Sequence, residues 1–315
     1  MRLINKGGVA VVIPAYNAQE YIADCLDSIL AQTYSNWTIY CVNDGSRDKT
    51  REILNQYAEK DQRIKVFHTE NGGASSARNY ALSQIADEEW ISFVDADDYV
   101  APTMYETIFK AIDNNETDYV RLFCQRTPLR YKSKKSESTE QSAIIKKVVS
   151  RDDYFLHESV GGFICSCFVK AGIVKENNLS FCKEMKVLED QAFSISCATH
   201  AKQIMVLDQP RNYFYYSGNE SSLTRSSKDT SDDIIRCVNI VFEAFHAIGS
   251  KAIINDYFYT KYLPIKLDTF CGKRLHYRHI KPSEHFLPAI KLSMKHLPLK
   301  AKVKYLLVKM LGLDK

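Results

Sequence analysis

Ile91-Ser92-Phe93-Val94-Asp95-Ala96-Asp97-Asp98, set between Trp90 and Tyr99, is a short apolar run that ends in three carboxylates. An earlier run, Ile39-Tyr40-Cys41-Val42, ends in the same manner, in Asn43-Asp44-Gly45-Ser46. Short continuous apolar runs of this kind read as strands of a parallel sheet buried on both faces. Ligands of such sheets gather in the crevice beyond the carboxyl ends of the strands, so two acidic strand ends point to a site there. Residues two apart in an extended chain face the same way: Asp95 and Asp97 converge, while Asp98 faces elsewhere or caps the helix expected near Pro102. Convergent carboxylates repel unless a cation lies between them, and hard oxygen ligands favour magnesium or manganese held together with nucleotide phosphates. On these residues alone, a metal site and an acidic helix-capping turn account equally well for the pattern.

The flanking sequence is a series of strand, loop and helix units. Val9-Ala10-Val11-Val12-Ile13 is the first strand, which the donor-less Pro14 should stop before Ala15-Tyr16-Asn17. Tyr21, Ile22, Cys25, Leu26, Ile29 and Leu30 then recur at helical spacing on one face. A second unit runs from the strand Thr38 to Val42 into a helix with Ile53, Leu54, Tyr57 and Ala58 inward, and Lys65 to His68 is a third strand. Asn71-Gly72-Gly73-Ala74-Ser75-Ser76-Ala77-Arg78-Asn79 is a small-residue turn into a helix that Ser75 or Ser76 is placed to cap. Its amides and Arg78 suit phosphate, although it lacks the spacing of either common nucleotide loop and also reads as a plain turn.

In order and spacing, Ile13 to Asn17, Asn43 to Ser46, Asn71 to Asn79 and Val94 to Tyr99 resemble glycosyltransferase family 2, closely over residues 8 to 110 and more loosely to about 225. The resemblance implies the GT-A fold, an α/β architecture with a Rossmann-like, mostly parallel sheet flanked by helices, here followed by a C-terminal helical region. It also implies a UDP-sugar donor, Mn2+ or Mg2+, and transfer with inversion. Carried across, Pro14, Ala15, Tyr16 and Asn17 line the nucleoside pocket, Asp44 bonds the uracil, and Arg78 lies by the donor. Asp95 and Ala96 meet ribose or sugar, and Asp97 binds the metal with Asp95 beside it. The same resemblance makes Asp190, in Leu188-Glu189-Asp190-Gln191-Ala192-Phe193, the general base and Glu189 its positioning neighbour; by themselves these are acids at a helix start, a common arrangement.

The implied reaction is hexosyl or N-acetylhexosaminyl transfer to a glycan or lipid-linked acceptor of cell-surface polysaccharide synthesis. Two alternatives stand beside it: a polyprenol-phosphate sugar synthase, and a non-catalytic scaffold that binds nucleotide or sugar. Pro210-Arg211-Asn212-Tyr213-Phe214-Tyr215-Tyr216 and Ser217 to Thr224 resemble the segment that closes the catalytic domain. Ser217 and Gly218 stand where many relatives carry an arginine, which Arg211 or Arg225 would have to replace. The aromatic run reads as a packed strand, or as a platform for an acceptor sugar.

A catalytic domain is expected over residues 1–225, its donor half to about 125 and its acceptor half over 126–225, with a helical region over 226–315. Arg126 to Glu140 is polar and basic without periodicity and reads as a loop. Nine cysteines, an odd number lying mostly in apolar segments, suit buried thiols in a reducing compartment. Neither a signal peptide nor a membrane-spanning stretch is legible, so a cytoplasmic protein is expected. Lys291, Lys295, Lys300, Lys302, Lys304 and Lys309 alternate with apolar residues in a basic amphipathic tail. That tail is suited either to the anionic inner face of the cell membrane or to packing on the domain. No stacking platform accompanies the charge, which argues against nucleic acid as a partner; oligomeric state is not legible.

Overall fold

The computed structural model describes residues 7–112, 116–131, 143–158, 160, 163–219, 231–263 and 265–266. The chain forms two compact units: Met1–Ser150, Phe163–Lys183 and Ala201–Glu220 make the first; Arg151–Gly162, Glu184–His200 and Ser221–Lys315 make the second. The units interleave along the sequence, where a single boundary near 225 was expected.

The first unit is built on β1 (Val9–Ala15), β2 (Trp37–Asp44), β3 (Ile64–Thr69) and β4 (Trp90–Phe93), with α1 (Ile22–Leu30), α2 (Thr50–Lys60) and α3 (Ala74–Gln84) between them. It continues through β5 (Tyr99–Val100), α4 (Met104–Ile112), β6 (Tyr119–Leu122), β7 (Cys124–Thr127), β8 (Ile145–Ser150), β9 (Cys167–Lys170), β10 (Gln203–Gln209) and β11 (Tyr213–Tyr216). Eight strands form one sheet in the order β3-β2-β1-β4-β9-β6-β10-β8, and β5-β11-β7 form a second. β1 is parallel to both β2 and β4. Strand β9 runs antiparallel between β4 and β6, and β8 antiparallel at the edge. Chain order reverses at β1, so the crevice between β1 and β4 is the switch point of the sheet.

The strands are legible because their residues are apolar throughout: Val9 to Ile13 are fully buried, as are Ile39 to Val42. Trp37 and Trp90 open β2 and β4 and are buried. β1 runs past Pro14 to Ala15, because its pairing with β4 ends at Val12 opposite Phe93 and the missing donor costs no ladder bond on that side. On α1, Ile22, Cys25, Leu26 and Ile29 are buried, as their spacing requires. Tyr213 to Tyr216 do form a strand, and Tyr213 is buried in it.

Three local expectations are corrected. Gly73 caps α3, at a φ of 85° that only glycine adopts cheaply, and Ser75 and Ser76 lie inside the helix. Of the two alternatives for Asp98, helix capping is set aside: its carboxylate turns inward to β11. Of the basic stretch, Arg126 and Thr127 belong to β7, and Arg130 pairs with Asp24 at 3.1 Å; residues 132–142 and the lysine-rich tail lie outside the described residues.

In the second unit, α5 (Arg151–His157), α7 (Glu189–His200), α8 (Ser231–Ala247) and a π-helical stretch (Ile253–Tyr262) pack together; the short α6 (Ala171–Glu176) belongs to the first. Phe155 stacks edge-on against Phe245 at 4.9 Å, and Asp233 of α8 accepts the backbone amides of Lys186 and Val187, each at 3.2 Å. These contacts explain why 184–200 sits with the C-terminal helices. Among the described residues no helix is long and apolar enough to cross a membrane, and all the described cysteines are free thiols.

Candidate active site

The carboxyl ends of β1, β2 and β4 lie side by side, and each delivers one of the motifs to that edge. Beyond β1, Ala15 is buried, Pro14 is half-buried, and Tyr16 is 50% exposed. Asn17 takes a positive φ of 47°, held there by two bonds to the loop after β2: its amide donates to Ser46 Oγ (2.9 Å) and its Oδ1 accepts Arg47 N–H (2.9 Å). Ala18 N–H donates to Thr50 Oγ1 at 2.8 Å, so the two loops form one rigid rim.

Asp44, at the end of β2, is 3% exposed. Its Oδ1 accepts Gly72 N–H and its Oδ2 accepts Gly73 N–H, both at 2.8 Å, so the carboxylate sits at the positive end of α3. Gly72 is required by close approach: a Cβ there would lie 2.9 Å from Ser76 Cβ. One turn further on, α3 carries Arg78 inward, where its Nη2 meets Asp95 Oδ1 at 2.9 Å and its guanidinium lies 5.3 Å from the Phe181 ring centre.

The three aspartates after β4 divide as expected, though in a turn closed by Asp98 N–H to the Asp95 carbonyl at 3.0 Å and not in extended chain. Asp95 and Asp97 remain partly accessible, Ala96 between them is buried, and Asp98 is 1% exposed. Asp98 Oδ2 accepts the Tyr213 hydroxyl at 2.7 Å and its Oδ1 accepts Tyr216 N–H at 2.8 Å. The same Tyr213 oxygen accepts Asp95 N–H at 3.1 Å. Asp97 Oδ2 accepts Asn219 Nδ2 at 2.7 Å. Burial, then the charges of Asp95 and Asp97, pushes the Asp98 carboxyl well above its ordinary range. Burial and then the Asp95 charge push Asp97 up as well.

Tyr213 and Asn219 escaped sequence reasoning as parts of this site. Nothing local marks them, since their relation to the aspartates arises from the pairing of β11 with β5 across more than 100 residues.

A divalent cation fits this edge. Two carboxylates face the crevice; Asp95 meets the Arg78 charge, whereas the side-chain partner of Asp97 among the described residues is the neutral Asn219 amide, which leaves its charge for a cation to meet. Among the described residues no group of three or more His, Cys, Asp or Glu assembles a metal cage. A cation there would complete its shell with diphosphate and water, as magnesium commonly does.

Glu189 and Asp190 open α7, in the second unit, and both are half-buried. Leu188 before them takes a φ of 67°, a left-handed conformation costly for a branched side chain. Asp190 Oδ1 accepts Gln191 N–H at 2.7 Å, and Gln191 Oε1 lies 3.4 Å from the Tyr262 hydroxyl.

An α/β sheet with this strand order and an acidic edge at its switch point defines a GT-A nucleotide-sugar transferase architecture. The model of "Glycosyl transferase family 2" matches residues 10–169, and the chain belongs to that family and is a glycosyltransferase. It is 29% identical over 272 residues to the uncharacterized glycosyltransferase EpsJ of Bacillus subtilis, covering 84% of this chain and 78% of that protein. To the poly(ribitol-phosphate) β-N-acetylglucosaminyltransferase TarS of Staphylococcus aureus it is 25% identical over 235 residues, 74% of this chain and 39% of TarS. The crystal structure of TarS 1–349 in complex with UDP-GlcNAc superposes with a TM-score of 0.73 at 21% identity, over 93% of this chain and 82% of that one. The mannosyltransferase PcManGT of Pyrobaculum calidifontis, solved with GDP-Man and Mn2+, superposes at 0.54 with 16% identity, over 99% and 82%. These two superpositions bear on the fold.

Proposed function

We propose that this glycosyltransferase is metal-dependent and inverting, and moves a sugar from a UDP-sugar to a glycan or lipid-linked glycan acceptor in cell-surface polysaccharide synthesis. The observation that carries this reading is the pairing at the sheet's switch point of Asp97, held by a neutral amide, with Asp95, held by Arg78. The names of TarS and its bound UDP-GlcNAc support a uridine diphosphate donor and a surface-polymer acceptor.

In this reading Tyr16 covers the base with its exposed ring, and Asp44 accepts the uracil imide proton. Each Asp44 oxygen already accepts one amide, and a carboxylate offers about four lone-pair positions, so capacity remains. Arg78 keeps Asp95 oriented toward the ribose or sugar beside Ala96. Asp97, with Asp95 next to it, would hold Mn2+ or Mg2+, which when bound supplies Lewis-acid stabilisation of the charge that grows on the departing diphosphate. Asp190 takes the acceptor hydroxyl proton as that oxygen attacks the anomeric carbon opposite the diphosphate, and Glu189 positions it. One displacement on that face inverts the anomeric centre.

The test is UDP release from a panel of UDP-sugars in the presence of candidate acceptors. Asp190→Asn is expected to lower kcat by about 10²–10⁴-fold while UDP binding stays within about twofold of wild type. Unchanged kcat would remove Asp190 from the role of base.

A further inference from the structure

The loop after β11 lacks the arginine expected at Ser217 or Gly218, yet it still reaches the acidic edge. We propose, resting on the assignment of Asp97 as the metal ligand, that Asn219 is a positioning residue that fixes Asp97 for one-oxygen coordination and so sets the cation preference of the site. The residues that lead into Asn219 are anchored to two neighbouring segments. Tyr213 and Tyr216 bind Asp98 at 2.7 and 2.8 Å, and Ser217 donates through its amide (2.8 Å) and its hydroxyl (3.1 Å) to the Thr127 carbonyl. From that frame the Asn219 amide occupies Asp97 Oδ2 at 2.7 Å.

Two consequences follow from the chemistry of that bond. The amide donor holds the carboxylate without adding positive charge, so the attraction for a cation is preserved, whereas an arginine at the same place would cancel it. With one lone pair of Oδ2 engaged by the amide, Oδ1 is the less encumbered oxygen, which biases Asp97 toward ligation through that single oxygen. Single-oxygen ligation suits the octahedral shell of Mg2+ or Mn2+, while Ca2+ prefers more ligands and readily takes carboxylates through both oxygens.

Calorimetric titration of UDP into the full chain, in Mn2+, in Ca2+ and in EDTA, tests this with wild type, Asn219→Ala and Asp97→Ala. Asn219→Ala is expected to weaken UDP binding in Mn2+ about tenfold, to narrow the Mn2+/Ca2+ affinity ratio, and to leave binding in EDTA unchanged. A general loss of structure would instead weaken all three conditions together. Asn219→Leu, of similar size and without the donor, repeats the measurement should Asn219→Ala fold poorly. If Asp97→Ala abolishes the metal effect while Asn219→Ala leaves the Mn2+ affinity and the ratio unchanged, the role of Asn219 is overturned and the metal assignment stands. If wild type shows no metal effect, both fall.

Discussion

Asp95, Asp97 and Asp98 are chemically identical and separated by at most three positions, yet one meets a guanidinium, one an amide and one a buried tyrosine hydroxyl. The expected separation of the first two from the third is met, but through a turn closed by Asp98 N–H to the Asp95 carbonyl at 3.0 Å and not through strand alternation. What Asp98 binds was not legible, because Tyr213 lies 115 residues away. His68 shows the same limit: it read only as a strand residue, and it proves to be part of the rim. Its Nε2 lies 2.9 Å from Asn55 Oδ1 and its Nδ1 3.2 Å from Asn43 Nδ2, while Asn43 Oδ1 accepts Ser46 N–H. That network assigns the proton to Nε2 and leaves Nδ1 accepting. Burial, then the Arg51 charge, lowers the imidazole from its ordinary 6.5. Below 6.5 the unfolded chain therefore binds the proton more readily than the folded one. Stability lost on acidification starts near that value and is complete below the folded pKa. The melting temperature of wild type should fall more steeply than that of His68→Gln as pH drops from about 7 to 5; parallel profiles would contradict the assignment.

At the scale of elements, the start of α3 shows how side chain and backbone settle a helix boundary together. The Gly-Gly turn was visible, and so was Asp44, but their connection was not: the acid that ends β2 holds the amides of Gly72 and Gly73 that lead into α3. Serine capping was the reasonable local expectation, and a longer-range carboxylate displaced it. Gly72→Ala would press its methyl against Ser76, at a cost of about 1–3 kcal/mol. Adding Ser76→Gly should restore part of that loss, though it introduces a glycine into a helix at about 1 kcal/mol. Denaturant midpoints of the two single variants and the double variant check this, and strict additivity would contradict it.

At the scale of the whole chain, the parallel core from β1 to β4 was legible because its strands are continuous apolar runs with turn residues between them. The reversed β9 and the edge strand β8 were not: Cys167–Lys170 is short, and Ile145–Ser150 carries lysines and exposed positions that resemble a loop. The interleaved units were hidden for a related reason, since the packing of α7 with α8 joins residues far apart in sequence. The acidic edge, by contrast, is built from segments that each announce themselves, which is why its residues could be named before the fold. There Asp97 is proposed to bind a cation that UDP shares. Calorimetric titration of UDP with Mn2+ into wild type and Asp97→Ala tests it most directly. Binding that requires Mn2+ in wild type and weakens at least about 100-fold in Asp97→Ala is the result expected. Equal UDP affinity in the two proteins, or affinity indifferent to Mn2+, would contradict it.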